Sequence, residues 1–218
     1  GHLVRLFLLN KLSLYRITVL HEIMTKEQIL ENFDPSQPGL ADATIFGLPF
    51  SAEQSEIIVI PVPWEVTVSY GSGASKGPDA VLDASFQVDL NHQEFPELWK
   101  LGIYIDKPAK ELKKKSKKFK KQAAPIIKAL ESGMILDHHP SLMKDLEEIN
   151  YACSDMVEAV REQTLNWMNK GKKVVLLGGD HSTPLGYYQA LATKYDNFGI
   201  LHLDAHMDLR IAYEGFTY

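Results

Sequence analysis

Lys173-Val174-Val175-Leu176-Leu177-Gly178-Gly179-Asp180-His181-Ser182 and, further along, Leu201-His202-Leu203-Asp204-Ala205-His206-Met207-Asp208 decide how this chain is read. Each is an apolar run that ends in side chains able to bind a metal. Between them, Pro184 to about Tyr195 has the composition of a helix, with proline at its first turn. Strand Lys173–Leu177, this helix and a second strand Phe198–Leu203 make a β-α-β unit, which implies two parallel strands and a right-handed crossover. Ligands bind outside the carboxyl ends of such strands, where His181 and Asp204 both emerge. In an extended strand, Asp204, His206 and Asp208 project to one face, roughly 7 Å between neighbours at a rise of about 3.3 Å per residue.

Imidazole and carboxylate ligands without thiolate suit Mn²⁺, Fe²⁺ or Zn²⁺, and a carboxylate-rich set favours the harder Mn²⁺. Asp204 lies between the histidines in sequence and has two oxygens, so it can bridge two ions. Two ions sharing one water lower its pKa to about 7 and yield a nucleophile at neutral pH. Asp180 is read either as a support for this site or as a cap for the helix from Pro184. His202 shares the strand parity of Asp204 one step back, and reads as a core residue or a support for the site.

Upstream, Met24–Phe33 reads as a short helix capped by Thr25, with Glu27 and Gln28 in its first turn. Glu56–Val62 is an apolar run of the kind buried on both faces of a parallel sheet. The loop from Trp64 to Asp79 is rich in glycine and hydroxyls, lacks any phosphate-binding pattern, and reads as substrate-facing or structural. A helix follows over Asp79–Ser85, then a strand over Leu101–Ile105. Nine lysines fall within residues 107–121. They are an electrostatic patch for an anionic partner or a solvated helix or insertion, and the second is favoured because Phe119 is the only interleaved aromatic. Pro125–Ser132 reads as a brief helix and His138-His139 as a loop. Ser141–Lys170 is a long amphipathic helix, ended by Gly171, with Cys153 on its apolar stripe as a buried thiol.

At 218 residues, 45% hydrophobic and 23% charged, the composition is that of a globular domain with a sizeable core. A net charge of −5 argues against a general nucleic-acid binder. A single cysteine excludes an internal disulfide and fits a cytoplasmic location. No apolar run is long enough to span a membrane. Gly1 to His21 lacks acidic residues and carries Arg5, Lys11 and Arg16. It reads as an amphipathic extension, over residues 1–40, or as upstream sequence from a misplaced start, in preference to a targeting presequence.

Gly178-Gly179-Asp180-His181-Ser182 and Asp204-Ala205-His206-Met207-Asp208 resemble the first two signature motifs of the ureohydrolases, which include arginases, agmatinases and formiminoglutamases. Pro61-Val62-Pro63, Ser69-Tyr70, Gly73-Ala74, Gly77-Pro78 and Ala84-Ser85 also resemble that family's N-terminal loop and helix. The resemblance runs from about Ile57 to Tyr218, so residues 41–218 are expected to form the ureohydrolase domain, with a lysine-rich insertion over about 107–140. It implies a three-layer α/β/α fold around a mostly parallel sheet, two Mn²⁺ ions and a bridging hydroxide. By motif position, His181 and Asp208 bind one ion, His206 binds the other, and Asp204 bridges both. Asp204 and His206 then act in catalysis through that hydroxide, which attacks a guanidinium carbon to release urea and an amine.

Leu209-Arg210 followed by Tyr213-Glu214-Gly215 resembles agmatinase-like members more than arginases. Formiminoglutamase and arginase activities remain open, as does a non-catalytic descendant of the fold. Zinc-dependent deacylases share the fold but lack this pair of motifs. The resemblance also implies a trimer or hexamer, a third motif (Asp-x-Asp) and a late glutamate, none of which lies in these 218 residues. The chain is therefore expected to be a fragment, its C-terminal part missing, and inactive or nearly so by itself.

Overall fold

The computed structural model describes residues 24–39, 43–68 and 71–217. The extension expected over residues 1–40 lies outside the described residues up to position 23, as do Ser69, Tyr70 and Tyr218. In chain order the elements are α1 (Lys26–Asn32), β1 (Ile57–Val62), α2 (Gly77–Ser85), β2 (Ile103–Ile105), α3 (Leu112–Glu131), α4 (Pro140–Asn169), β3 (Lys173–Gly178), α5 (Pro184–Lys194), β4 (Ala212–Tyr213) and β5 (Phe216–Thr217). Three strands form a sheet in the order β2-β1-β3, and β1 and β2 run parallel with Ile57 opposite Ile103. This is an α/β fold built on a parallel pair of strands, as expected from the sequence. Among the described residues no helix is long and apolar enough to cross a membrane.

The chain divides into two compact units. One comprises residues up to Val59, Ala80–Asp106 and Gly171–Val175. Its helix α1 starts on a reciprocal capping box. Thr25 Oγ1 accepts the Gln28 N–H (3.3 Å), and the Thr25 N–H donates to Gln28 Oε1 (2.9 Å). Ile29, Leu48, Phe50 and Trp99 are its core, with the Phe33 and Trp99 ring centroids 5.2 Å apart. Just before β2 the chain passes so close to Ser55 that a Cβ on Gly102 would lie 2.9 Å from the Ser55 Cα. The left-handed φ of 72° at Gly102 also favours glycine.

The other unit comprises Ile60–Asp79, Lys107–Lys170 and Leu176–Tyr218. Its spine is α4, whose buried residues Leu146, Ile149, Cys153, Met156, Val160, Thr164 and Trp167 recur every three or four positions. Helix α5 lies against that stripe at Gly186, where any Cβ would overlap the Val157 carbonyl. Helix α3 also packs on α4 and buries Ala123, Ile126 and Ala129. The hairpin β4–β5 docks on α4 through Phe216 and through Asn150, which donates to the Gly215 carbonyl (2.9 Å) and accepts the Thr217 N–H (3.0 Å).

Two sequence expectations are corrected. The brief helix at Pro125–Ser132 is the end of one continuous helix, α3, with Pro125 inside it. Pro125 sits on the exposed face, so the Lys121 carbonyl that loses its helical donor is left to water rather than buried unpaired. The strand expected over Phe198–Leu203 is absent: those residues form no regular secondary structure and are exposed, Leu201 and Leu203 at 86% each. A strand needs a ladder partner for its backbone groups, and this run has none among the described residues.

Candidate metal centre

The loop after β3 is shaped by close backbone contact with the segment that follows β1. A Cβ on Gly179 would overlap the Trp64 carbonyl oxygen, which explains the second glycine of the pair. The Asp180 N–H donates to that same carbonyl (2.9 Å), and Asp180 Oδ2 accepts the Val66 N–H (3.1 Å). Oδ1 accepts from the Ser182 hydroxyl (2.5 Å) and the Ser182 N–H (3.2 Å). Asp180 is thus a strut that fixes the backbone on either side of His181. The N-cap position of α5 is Thr183, and no side chain caps it. Burial pushes the Asp180 carboxyl above the usual carboxylate range, while the bonds from Ser182 and Val66 act in the opposite direction.

His181 projects from this support toward two carboxylates. Its Nδ1 is 2.8 Å from Asp208 Oδ2 and its Nε2 is 3.3 Å from Asp204 Oδ2. His181, Asp204 and Asp208 each offer one ligand atom, all within 4.8 Å of one another. Nitrogen and oxygen ligands stand roughly 2.0–2.2 Å from a divalent transition ion. Ligands on one ion are then separated by roughly 3–4 Å by that geometry, so the cluster fits such an ion with small side-chain adjustment.

The chain does not reach this geometry by strand alternation. Asp204 Oδ1 accepts the His206 N–H (2.9 Å), which turns the backbone, and Asp208 has a left-handed φ of 46°. The turn brings Asp208 back to His181 and leaves His206 outside the cluster, its Nδ1 3.7 Å from Asp204 Oδ1 and its side chain 82% exposed. His202, expected in the core or as a support, is exposed because its run is not in a sheet. The His206 N–H holds the Asp204 carboxyl below the usual carboxylate range, helped by the charges of His181, His202 and His206. Asp204 is therefore anionic at neutral pH, as a metal ligand must be.

The cluster opens on a cavity of about 860 Å³ lined by Thr67, Val68, His181, Asp208, Arg210 and Tyr213 among others. The Arg210 guanidinium stacks on the Tyr213 ring, 4.7 Å from its centroid. Residues 55–218 match the Arginase family. The chain belongs to the arginase family. That match begins just before β1 and takes in the whole cluster and its cavity. Arginase-family proteins are generally metal-dependent, and the donor set here suits that property.

Curated relatives carry the names N(1)-aminopropylagmatine ureohydrolase and agmatinase. The chain is 29% identical over 169 residues to N(1)-aminopropylagmatine ureohydrolase of Thermus thermophilus, covering 76% of this chain and 44% of that protein. It is 29% identical over 168 residues to the protein of the same name in Synechocystis, with the same coverage, and 27% identical over 165 residues to an agmatinase of Bacillus anthracis, covering 76% of this chain and 44% of the relative. The chain thus spans less than half the length of these relatives. No solved structure matches it at a significant level.

The pocket wall formed by Thr67 and Val68 was not individually singled out by sequence. Both lie in the loop from Trp64 to Asp79, which its glycines and hydroxyls mark as substrate-facing or structural. Nothing in the sequence marks Glu65, next to that wall, as the buried carboxylate it is.

Proposed function

We propose that this chain carries the metal-binding part of a manganese-dependent hydrolase of guanidino compounds, agmatinase-like, that releases urea and an amine. The observation that carries this is the convergence of His181, Asp204 and Asp208 within 4.8 Å at the mouth of a cavity, in a chain of the arginase family. His181 and Asp208 would hold one ion and His206 the second, with Asp204 between them. Two divalent ions in such a site supply Lewis-acid charge and make water nucleophilic at neutral pH.

The chain's own residues do the rest. The Asp204 turn keeps its carboxylate anionic and aimed at His181. Asp180 locks the backbone that carries His181. Thr67, Val68, Met207 and Leu209 give the cavity a largely apolar wall suited to the methylene tail of an alkylguanidine, and Asp208 on that wall, with Asp204 close by on the other side of His181, supplies negative charge suited to a cation. Agmatine, or agmatine with a further aminopropyl group, has both features. Support for this substrate class comes from the names of the relatives and from Leu209-Arg210 with Tyr213-Glu214-Gly215. Residues 41–218 form the ureohydrolase domain in this proposal, in a cytoplasmic homo-oligomer.

The test is urea release from agmatine, aminopropylagmatine, arginine and guanidinobutyrate, against formamide release from formiminoglutamate, by the manganese-loaded protein expressed from its complete gene. Urea from an amine-terminated guanidine is the expected result. Formamide alone, or no product from any substrate, overturns the assignment.

A further inference from the structure

Glu65 is 1% exposed, and its carboxylate accepts from one loop and one helix. The Gly73 N–H reaches both oxygens (3.1 and 3.0 Å), and Oε2 also accepts the Ser75 N–H (2.9 Å) and the Ser75 hydroxyl (3.0 Å). Lys120 of α3 forms an ion pair with Oε1 and donates to Ser72 Oγ (2.7 Å). The Glu65 N–H donates to Ser116 Oγ, one turn before Lys120 on the same helix (2.9 Å). A buried carboxylate is stable only when charge-paired and hydrogen-bonded, and this one is both.

The consequence is local closure. Glu65 gathers Gly73 and Ser75 back to the start of their own loop, and the next residue, Val66, is held by Asp180 beside His181. Thr67 and Val68 follow directly and line the cavity. Gly71 and Gly73 have φ of 71° and 136°, so the loop's path back depends on backbone shapes that other residues rarely adopt. Glu65 itself does not line the cavity, and both of its oxygens are used by these donors.

We propose that Glu65 is a positioning residue for the substrate wall at Thr67–Val68, with Lys120 of the lysine-rich helix as its charge partner. This rests on the cavity being the guanidino-substrate site. It gives the lysine-rich segment a role unrelated to nucleic acid. Lys120 braces the wall, while Lys113, Lys114 and Lys115 pair with Asp79, Glu111 and Asp155.

The test uses Glu65→Gln, Lys120→Met and Lys120→Arg, with amide exchange and agmatine affinity at saturating manganese as readouts. Glu65→Gln is expected to speed exchange at Gly73 and Ser75 at least tenfold and to weaken agmatine binding at least tenfold. Manganese affinity and exchange within α4 should stay within threefold. Lys120→Met moves both sensitive readouts in the same direction, and Lys120→Arg restores them to within threefold of the parent. Exchange and agmatine affinity both within twofold in Glu65→Gln overturn the proposal. If Glu65→Gln does not fold, the Lys120 pair decides: Met and Arg variants alike in both readouts also overturn it. If the parent binds no agmatine while Gly73 and Ser75 exchange responds as stated, the substrate assignment fails and the positioning of the wall stands.

Discussion

Gly179 shows how one residue links the fold to the site. The space a side chain would need is taken by the Trp64 carbonyl, which also accepts the Asp180 N–H. Gly179→Ala must push this loop away from Trp64, and overpacking of this kind costs about 1–3 kcal/mol. Urea titration should show a loss in that range, and manganese binding should weaken because His181 moves with the loop. Cys153 gives a prediction in pH. Burial is the main cause that pushes its thiol up to about 12, and the Asp180 charge adds to it. Below about pH 9 the thiol is protonated whether the chain is folded or not, and it contributes no pH dependence by general linkage. Above that, the unfolded chain releases the proton and the folded one does not, so stability falls as pH rises from about 9 toward 12, by about 1.4 kcal/mol per unit. Unfolding measured from pH 9 to 11 should show this slope in the parent and not in Cys153→Ala. The burial of Cys153 was legible because a helical stripe is a local pattern. The exposure of His202 was not, because its burial depended on a sheet that the run from Phe198 does not join.

Among the elements, those whose signals are local formed as read. The capping box starts α1 at Thr25, β1 runs to Val62, α4 ends before Gly171, and α5 begins at Pro184. The elements that differ were decided by partners distant in sequence. Packing on α4 carries α3 through Pro125, and the run at Phe198–Leu203 has no ladder. The site differs for the same reason. The imidazole and carboxylate side chains and the two motifs were plain in sequence, but the side-chain turn at Asp204 decides that Asp208, and not His206, stands against His181. The hairpin β4–β5 can be probed at Asn150, whose two bonds hold it to α4. Asn150→Ala should speed amide exchange at Thr217 about fivefold, roughly 1 kcal/mol for partly exposed bonds. Four of the eight lysines on α3 pair with acids, and the chain as a whole carries a net charge of −5. The protein should therefore bind duplex DNA at physiological salt no better than the weak end of non-specific binding, a Kd of about 0.1 mM or weaker. A fluorescence-anisotropy titration checks this, and micromolar binding would restore the anionic-partner reading of that segment.

At the scale of the molecule, the arginase-family match, the β1–β3 framework and the metal-type cluster coincide in one stretch, residues 55–218. The chain spans 44% of the length of the relatives it matches. Its activity is therefore a separate question from whether the cluster binds metal, and the second question can be put to this chain directly. The most direct measurement is manganese titration by calorimetry, with the electron paramagnetic resonance of bound Mn²⁺ recorded in parallel, on the parent, His181→Ala and Asp204→Asn. The expected result is saturable binding by the parent, weakened at least 100-fold in each variant while the fold is kept by circular dichroism. No saturable binding by the parent, or equal binding in all three proteins, would contradict the account.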